Sequence, residues 1–333
     1  MQKPQPGGGS NPLDEKRLRE TAATLSQIIP DLSSRIMDIG CATGGLLKEM
    51  SDLGYRALFG IDPSEECVRV SNEIPGVMAK IGSLNQLPDG IDRFNLLVFS
   101  HVLEHVQDLE TVMLALDRLL DENGLVYIEV PDATRYPDCI IAPFQDFNTE
   151  HINHFSIQSL NNLFRKGWVM KRYGQKLIDM EAGKVFPAAY VVFQKAESDL
   201  ENSLAFDYKL NAAIEEYIAA SRSQFENLNI QLRDILKATN SVIVYGTGQL
   251  TLKLLKDTCL QDANIEFFVD GNPLNQGKNL FGKPVYSPKM IFESNAPVII
   301  ASLVNSLSIQ RDITQLGVSN PVHVLKDKSN DNR

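Results

Sequence analysis

Acids, glycines and histidines recur at the ends of short apolar runs in this chain, and their placing limits its chemistry. The stretch R-I-M-D-I-G-C-A-T-G-G-L-L, residues 35–47, passes from an apolar run through Asp38 into a turn carrying Gly40, Gly44 and Gly45. Glycine lets the backbone bend sharply and lets a ligand approach the main chain where a Cβ would intrude. An acid just before such a turn can pair with a ligand ammonium. Asp62 ends the next apolar run, F-G-I-D, about 20 residues on, where a carboxylate accepts from ribose hydroxyls. Two Glu–His pairs follow, in S-H-V-L-E-H (100–105) and N-T-E-H-I-N-H (148–154). Histidine, with an ordinary pKa of ~6.5, moves protons near neutrality. His151 is therefore the candidate general base, and Glu150 the group that orients it or contacts an acceptor. His105, Asn148 and His154 are candidate substrate contacts. His151 and His154 could be read as a metal pair, but no third ligand is in view, so no metal is expected.

These residues need elements to hold them. Leu13–Ile29 reads as a helix ended by Pro30. Strands are expected over Ser33–Gly40, Tyr55–Asp62, Val77–Gly82, Phe94–Ser100 and Gly124–Pro131. Helices fit Gly45–Gly54, a segment opened by Pro63, and Thr111–Leu120. Strand and helix alternating at short spacing predict a doubly wound parallel sheet. Such sheets bind ligands beyond the carboxyl ends of their strands, where Asp38, Asp62, Ser83 and the Ser100–His105 peptide all fall. After an irregular stretch, a helix is expected over Ile157–Lys166. Strands near Tyr173–Met180 and Ala188–Lys195 would complete the sheet.

Residues 197–240 form a polar, helix-rich connector whose apolar positions Leu210, Ile214, Tyr217, Phe225, Leu228, Leu232 and Ile235 keep three-and-four spacing. An amphipathic helix packed on one or both domains is the preferred reading. A dimerising coiled coil is the alternative, but the stripe breaks at Ser221 and is short for that role. A second α/β unit begins at S-V-I-V-Y-G-T-G-Q-L-T, with further strands over Ile265–Asp270, Ala296–Ser302 and Pro321–Leu325. Thr251 stands where a dinucleotide fingerprint has its third glycine, and Asp270 reads as a strand-end turn former rather than a ribose ligand.

The bulk numbers exclude several classes. The chain has 333 residues, 43% hydrophobic and 22% charged, enough for two domains. Its net charge of −10 and pI near 5.1, with no Lys/Arg cluster, argue against nucleic acid as a partner. No apolar run reaches the ~18 residues that span a membrane. The four cysteines are scattered without a C-x-x-C pair, which points to neither a disulfide framework nor a structural zinc site and makes a reducing cytoplasm the default. Residues 1–12, M-Q-K-P-Q-P-G-G-G-S-N-P, read as a disordered lead, and 329–333 as a tail.

Three separate segments together carry a family resemblance. D-I-G-C-A-T-G resembles the first motif of the class I S-adenosylmethionine-dependent methyltransferases, F-G-I-D their second-strand acid, and V-L-E-H-V (102–106) the peptide after their fourth strand. Ala42 replaces the usual middle glycine. The resemblance implies a Rossmann-like methyltransferase domain over residues 13–196 that binds S-adenosyl-L-methionine. Asp38, Gly40 and Gly44 would hold its methionine end and Asp62 its ribose. Ser83 and Leu84 would flank the adenine, and Ser100 and His101 would lie beside the methionine moiety.

E-H-I-N-H-F-S, S-L-N-N-L-F and the C-terminal V-I-V-Y-G-T-G … F-F-V-D-G-N-P-L-N-Q-G-K resemble the sugar C-methyltransferases of deoxysugar pathways. That narrower likeness implies a sugar or nucleotide-sugar acceptor, methylated at carbon beside a ketone or, alternatively, at oxygen. It also implies that a second Rossmann-like domain, 241–328, helps bind the sugar nucleotide. The family's paired-cysteine zinc domain has no counterpart in this sequence, and Asn148 replaces the tyrosine of its Y-x-E-H segment. Two other readings stay open: an NAD-dependent sugar-nucleotide oxidoreductase using the second glycine turn, and a non-catalytic protein with two nucleotide folds.

Overall fold

The computed structural model describes residues 11–180, 183–196 and 203–326. The lead, apart from Asn11 and Pro12, and the tail lie outside the described residues. The chain divides into two compact units, one of residues 1–139 and 149–213, the other of 140–148 and 214–333.

In the first unit, α1 (Pro12–Ile28) starts where the Asn11 side chain accepts from the N–H groups of Leu13 and Asp14. There follow β1 (Arg35–Ile39), α2 (Gly45–Asp52), β2 (Ala57–Asp62), α3 (Glu65–Ser71), β3 (Val77–Ile81), β4 (Phe94–Ser100), α4 (Leu109–Leu119) and β5 (Leu120–Pro131). Pro63 does not open α3 as expected. Ser64 is the cap, its hydroxyl accepting from Cys67 N–H, so the helix begins one residue after it. Beyond come α5 (Ile157–Leu163), β6 (Trp168–Asp179) and β7 (Val185–Lys195). The seven strands are ordered β3-β2-β1-β4-β5-β7-β6. Pairing is parallel from β3 through β5, while β7 runs antiparallel to β5 and β6 antiparallel to β7.

Alternation along the strands sorts side chains to two faces. Ile36, Leu96, Val98 and Tyr127 meet Leu18, Leu25, Leu47 and Met50 of α1 and α2. Met37, Leu97, Phe99, Val126 and Ile128 meet Val112 and Leu116 of α4, Leu160 of α5 and Phe164 just after it. With both faces covered, the sheet presents its ligand-binding side at the strand ends.

The second unit contains most of α6 (Tyr208–Lys237), then β8 (Val242–Tyr245), α7 (Gln249–Asp257), β9 (Ile265–Val269), β10 (Asn279–Leu280), β11 (Lys283–Tyr286), β12 (Val298–Ile300), α8 (Ser306–Leu316) and β13 (Val322–Val324). Its sheet order is β10-β11-β9-β8-β12-β13, parallel except for β10. The connector stripe is resolved in part here: Leu228 and Leu232 are buried against Val242, Val244 and Leu254, with Phe225 and Ile235 at their margin. The small strands β10 and β11 have too few apolar residues to be seen in sequence. All four cysteines are free, and among the described residues no helix is long and apolar enough to cross a membrane.

Candidate active site

Asp38 lies on β1 facing α1, with its residue 4% exposed. Its carboxylate makes no hydrogen bond with the described residues. Burial lifts its pKa to about 7, opposed by the charge of Arg17 and aided by that of Asp62. The turn after it is shaped for close approach. Gly40, at φ +75, would set a Cβ 3.0 Å from Val102 Cγ2, and Gly44, at φ +79, one 2.7 Å from Ile74 Cδ1 and 2.9 Å from Ser71 Oγ. Ala42 takes the left-handed conformation too, at φ +46, and its carbonyl accepts from Ser71 Oγ at 2.9 Å. Asp62 braces the turn: one oxygen accepts from Ala42 N–H at 2.9 Å, the other from Ser64 N–H at 2.8 Å. Each oxygen keeps a further lone pair for a ligand hydroxyl.

Ser83 closes a two-way backbone bridge with Gln86, and Gly82 N–H ties this segment to the Asp62 carbonyl at 3.1 Å. Leu84 packs against the core on the α4 side. Ser100 ends β4, and its hydroxyl accepts from Arg17 at 3.5 Å. Arg17 was not visible as a site residue from sequence. Its signal was positional: Arg17 and Thr21 are polar neighbours on the helical face that buries Leu18 and Leu25.

Behind Ser100 lies a buried ionic chain. Glu129 is fully buried, with Lys176 Nζ at 2.5 Å and the Tyr127 hydroxyl donating at 2.5 Å. His101, held at φ +58, sits between two carboxylates: Nδ1 is 3.2 Å from Glu104 and Nε2 3.3 Å from Glu129. The second contact is an ion pair whose angle falls outside hydrogen-bond geometry. Burial disfavours the charged ring, but the two glutamates outweigh it and raise the His101 pKa to about 9. Burial likewise opposes the Glu129 charge, yet His101 and Lys176 hold its pKa well below the carboxylate range. His101 is thus a cation at neutrality, fixed by its neighbours.

The two Glu–His peptides, far apart in sequence, meet. The Glu104 carbonyl accepts from Ile152 N–H at 2.9 Å and Asn153 N–H at 3.1 Å. The Asn153 amide donates to the carbonyls of Leu103 at 3.0 Å and Val106 at 2.7 Å. His105 Nδ1 lies 2.9 Å from the Glu150 carbonyl, and the His105 and His151 rings pack edge-on with centroids 5.0 Å apart. Asn153 is the staple, and sequence reasoning passed over it. The Glu104 side chain, 1% exposed, leaves Oε2 without a partner among the described residues. Glu104, His105 and His151 each present one atom within 4.8 Å of the others. That spacing is close enough for a metal ion to bridge the three atoms. His151 is half-buried; burial lowers its pKa, with neighbouring His105 and His101 adding to the effect and Glu104 and Glu150 opposing it.

Two expected substrate contacts find other surroundings. His154 Nδ1 lies 3.3 Å from the hydroxyl of buried Tyr136, its ring edge-on. Asn148 falls in the second unit, its amide donating to the Gln145 carbonyl at 3.5 Å. In that unit the glycine turn after β8 is closed by its own side chains: Asp270 accepts from Thr247 N–H at 3.0 Å and from the Thr247 hydroxyl at 2.5 Å.

A doubly wound sheet with a glycine turn after β1 and an acid ending β2 is a nucleotide-binding arrangement. Residues 13–167 match the family described as Methyltransferase domain. The C-methyltransferase NovU of Streptomyces niveus is 26% identical over 283 residues, covering 76% of this chain and 62% of that protein. The mitochondrial ubiquinone biosynthesis O-methyltransferase of Bos taurus is 28% identical over 133 residues, 37% of this chain and 36% of that one. The chain thus spans less than two thirds of the length of either curated relative. Among solved structures, an S-adenosylmethionine-dependent methyltransferase from Mesorhizobium loti aligns with 54% of this chain and all of its own at a TM-score of 0.43 and 17% identity. The match to a methyltransferase domain falls largely within the first unit, and what this chain is similar to is therefore a methyltransferase.

Proposed function

We propose that the whole chain transfers a methyl group from S-adenosylmethionine to a small-molecule acceptor, with carbon beside the carbonyl of a sugar or nucleotide sugar as the favoured position. The observation that carries the donor is Asp38: a buried carboxyl without a hydrogen bond among the described residues, of raised pKa, beside a turn that two glycines keep clear. An α-ammonium arriving there supplies the missing partner. Arg17, close enough to Ser100 and Asp38 to act on both, is the residue for the neighbouring α-carboxylate. Asp62 takes the ribose, and Ser83 and Leu84 border the base. The donor brings an electrophilic methyl on a sulfonium, which leaves as a neutral thioether.

The protein's own work is to align and deprotonate the acceptor. His151, neutral through its lowered pKa, takes the proton from carbon. The enolate carbon then forms the new C–C bond as the methyl–sulfur bond breaks toward sulfur. The Glu104 carbonyl and Asn153 hold the backbone that carries His151, and His105 holds the Glu150 carbonyl. Carbon is favoured over oxygen because the match to a C-methyltransferase runs through both units, while the match to an O-methyltransferase stays within about a third of the chain. A sugar acceptor rests on the E-H-I-N-H-F-S segment and the C-terminal motifs.

Calorimetry with S-adenosylhomocysteine and with NADH tests the donor. Binding of the first and not the second is expected, and the reverse sinks the reading. Methyl transfer from labelled S-adenosylmethionine to a panel of nucleotide sugars tests the acceptor. His151→Ala should keep S-adenosylhomocysteine affinity and lose turnover by about 100-fold, within the usual range for a general base. Loss of affinity instead would remove His151 from the role of base.

A further inference from the structure

The irregular stretch before Glu150 is not a free loop. Residues 140–148 leave the first unit after Cys139, pack as part of the second, and return at Thr149, directly before Glu150 and His151. Their anchors are main-chain groups held by side chains of α6 and α7. Phe144 N–H donates to Ser221 Oγ at 3.1 Å, and Asp146 N–H donates to the Tyr217 hydroxyl at 3.0 Å. Lys253 Nζ donates to the Phe144 carbonyl, and it lies 3.5 Å from that of Phe147. Gln145 Oε1 accepts from Ile141 N–H at 3.2 Å and Ala142 N–H at 2.9 Å. The Phe147 ring packs edge-on to Tyr217 at 5.1 Å.

Tyr217, Ser221 and Gln224 are all buried and share one face of α6. Ser221 is the residue that interrupts the apolar stripe of the helix, and the interruption now has a use: it is a polar notch for the segment's backbone. Phe144 is held at φ +52, a conformation a bulky residue adopts only where its surroundings impose it. Asp146, 4% exposed, is pushed up to about 6 by burial, with Tyr217, Gln145 and Lys253 opposing. A surface connector has no need of a buried acid, a strained aromatic and a part-buried lysine contact.

The geometry points to Lys253, Ser221 and Tyr217 as positioning residues that fix the 140–148 segment and, through the chain, the Glu150–His151 pair that follows it. The second unit then has a part in methyl transfer that does not depend on its binding any nucleotide. This rests on the proposed role of His151 only for its kinetic consequence; the effect on the backbone stands alone.

The test uses the full chain with Lys253→Met, Lys253→Arg and Ser221→Ala, read by hydrogen–deuterium exchange of peptides covering 140–153. Lys253→Met should speed exchange at least tenfold across 140–151 and leave β1, β4 and β8 unchanged. Lys253→Arg, which keeps a donor at both carbonyls, should return it to within about threefold of the original. Ser221→Ala gives a smaller acceleration of the same peptides and serves if the methionine variant does not fold. S-adenosylhomocysteine affinity should stay within twofold in every variant, while turnover of labelled donor falls in step with the loss of protection at 149–151. Acceleration that stops at Asn148, or none at all, overturns the proposal. Failure of the protein to bind S-adenosylhomocysteine overturns the methyltransferase reading and leaves the exchange result intact.

Discussion

The molecule contains the same strand–glycine turn–helix device twice, and the two copies spend their acids differently. In the first, Asp38 stands two residues before Gly40, buried and without a hydrogen bond among the described residues. In the second, the matching position before Gly246 is Val244, fully buried in the core. Asp62 gives one oxygen to a single N–H of its turn and the other to Ser64. Asp270 gives one oxygen to Thr247 N–H, the Thr247 hydroxyl and Asn275, and the other to Asn272 N–H. Thr251, buried in place of a third glycine, donates to the Gly246 carbonyl at 2.8 Å. The second turn is satisfied by itself, whereas the first keeps a carboxyl in reserve. A buried acid without a hydrogen bond among the described residues is costly, a cost that a ligand cation at the first turn would relieve.

The largest effect that can break this contrast lies at the two helix caps. Gly44 and Gly248 are both N-caps, but Gly44 sits at φ +79 and Gly248 at φ −77. Nothing lies within 4 Å of a Cβ on Gly248. Gly44→Ala meets both a left-handed backbone and a crowded side-chain wall, and should cost the first unit about 2–4 kcal/mol. Gly248→Ala should stay within about 1 kcal/mol, the ordinary cost of alanine at an N-cap, since a Cβ there meets nothing. Thermal unfolding checks both. Equal losses would mean that the first turn is no tighter than the second.

How much of this could be read from the sequence follows from how local each cause is. The first turn was legible because an acid, three glycines and an apolar run lie within thirteen residues. So was Asp270 as a turn former, since an acid followed by G-N-P ends its own strand. What escaped was tertiary. Arg17 reaches from α1 to the end of β4, and its polar place on a helical face that buries Leu18 and Leu25 is too weak a signal to say so. Asn153 is one asparagine in a polar peptide until its amide reaches the Leu103 and Val106 carbonyls. Asn148 and His151 are three apart in sequence, yet the fold assigns them to different units. Ser221 was read as a flaw in a stripe because sequence periodicity registers apolar surface and cannot register a notch for another segment's backbone.

A sharper contrast comes from Asp38→Asn. Loss of a charge-assisted hydrogen bond is worth about 1.5–3 kcal/mol, so S-adenosylhomocysteine affinity should fall about 10- to 150-fold. The pH dependence follows from the folded pKa of about 7, set against about 3.9 in the unfolded chain. Because the folded value is the higher, protonation of Asp38 stabilises the ligand-free protein. That stabilisation is complete below the unfolded value and is lost as pH rises through about 7. An ammonium pairs with the ionised form, so binding at pH 6 should release a proton, and affinity should climb with pH until it levels above 7. Calorimetry at pH 6 in two buffers of different ionisation enthalpy reads the released proton directly. Asp38→Asn should abolish both the release and the slope. Persistence of either would place the titrating group elsewhere.

The smallest expected effect concerns the second turn. Thr247→Val removes one donor from Asp270, whose pKa is held down by hydrogen bonds from Thr247, Asn272 and Asn275 against the effect of burial. Two donors remain on the same oxygen, so the loss should be about 0.5–1.5 kcal/mol, felt only in the unfolding of the second unit. S-adenosylhomocysteine affinity and methyl transfer should not move. If the turn instead reserves Asp270 for a nucleotide, Thr247→Val frees part of that carboxylate, and binding of NADH or of a nucleoside diphosphate should change while the melting temperature barely shifts. Differential scanning calorimetry run beside ligand titration separates the two outcomes. An acid wholly spent on its own turn answers perturbation in stability and leaves ligand affinity unmoved.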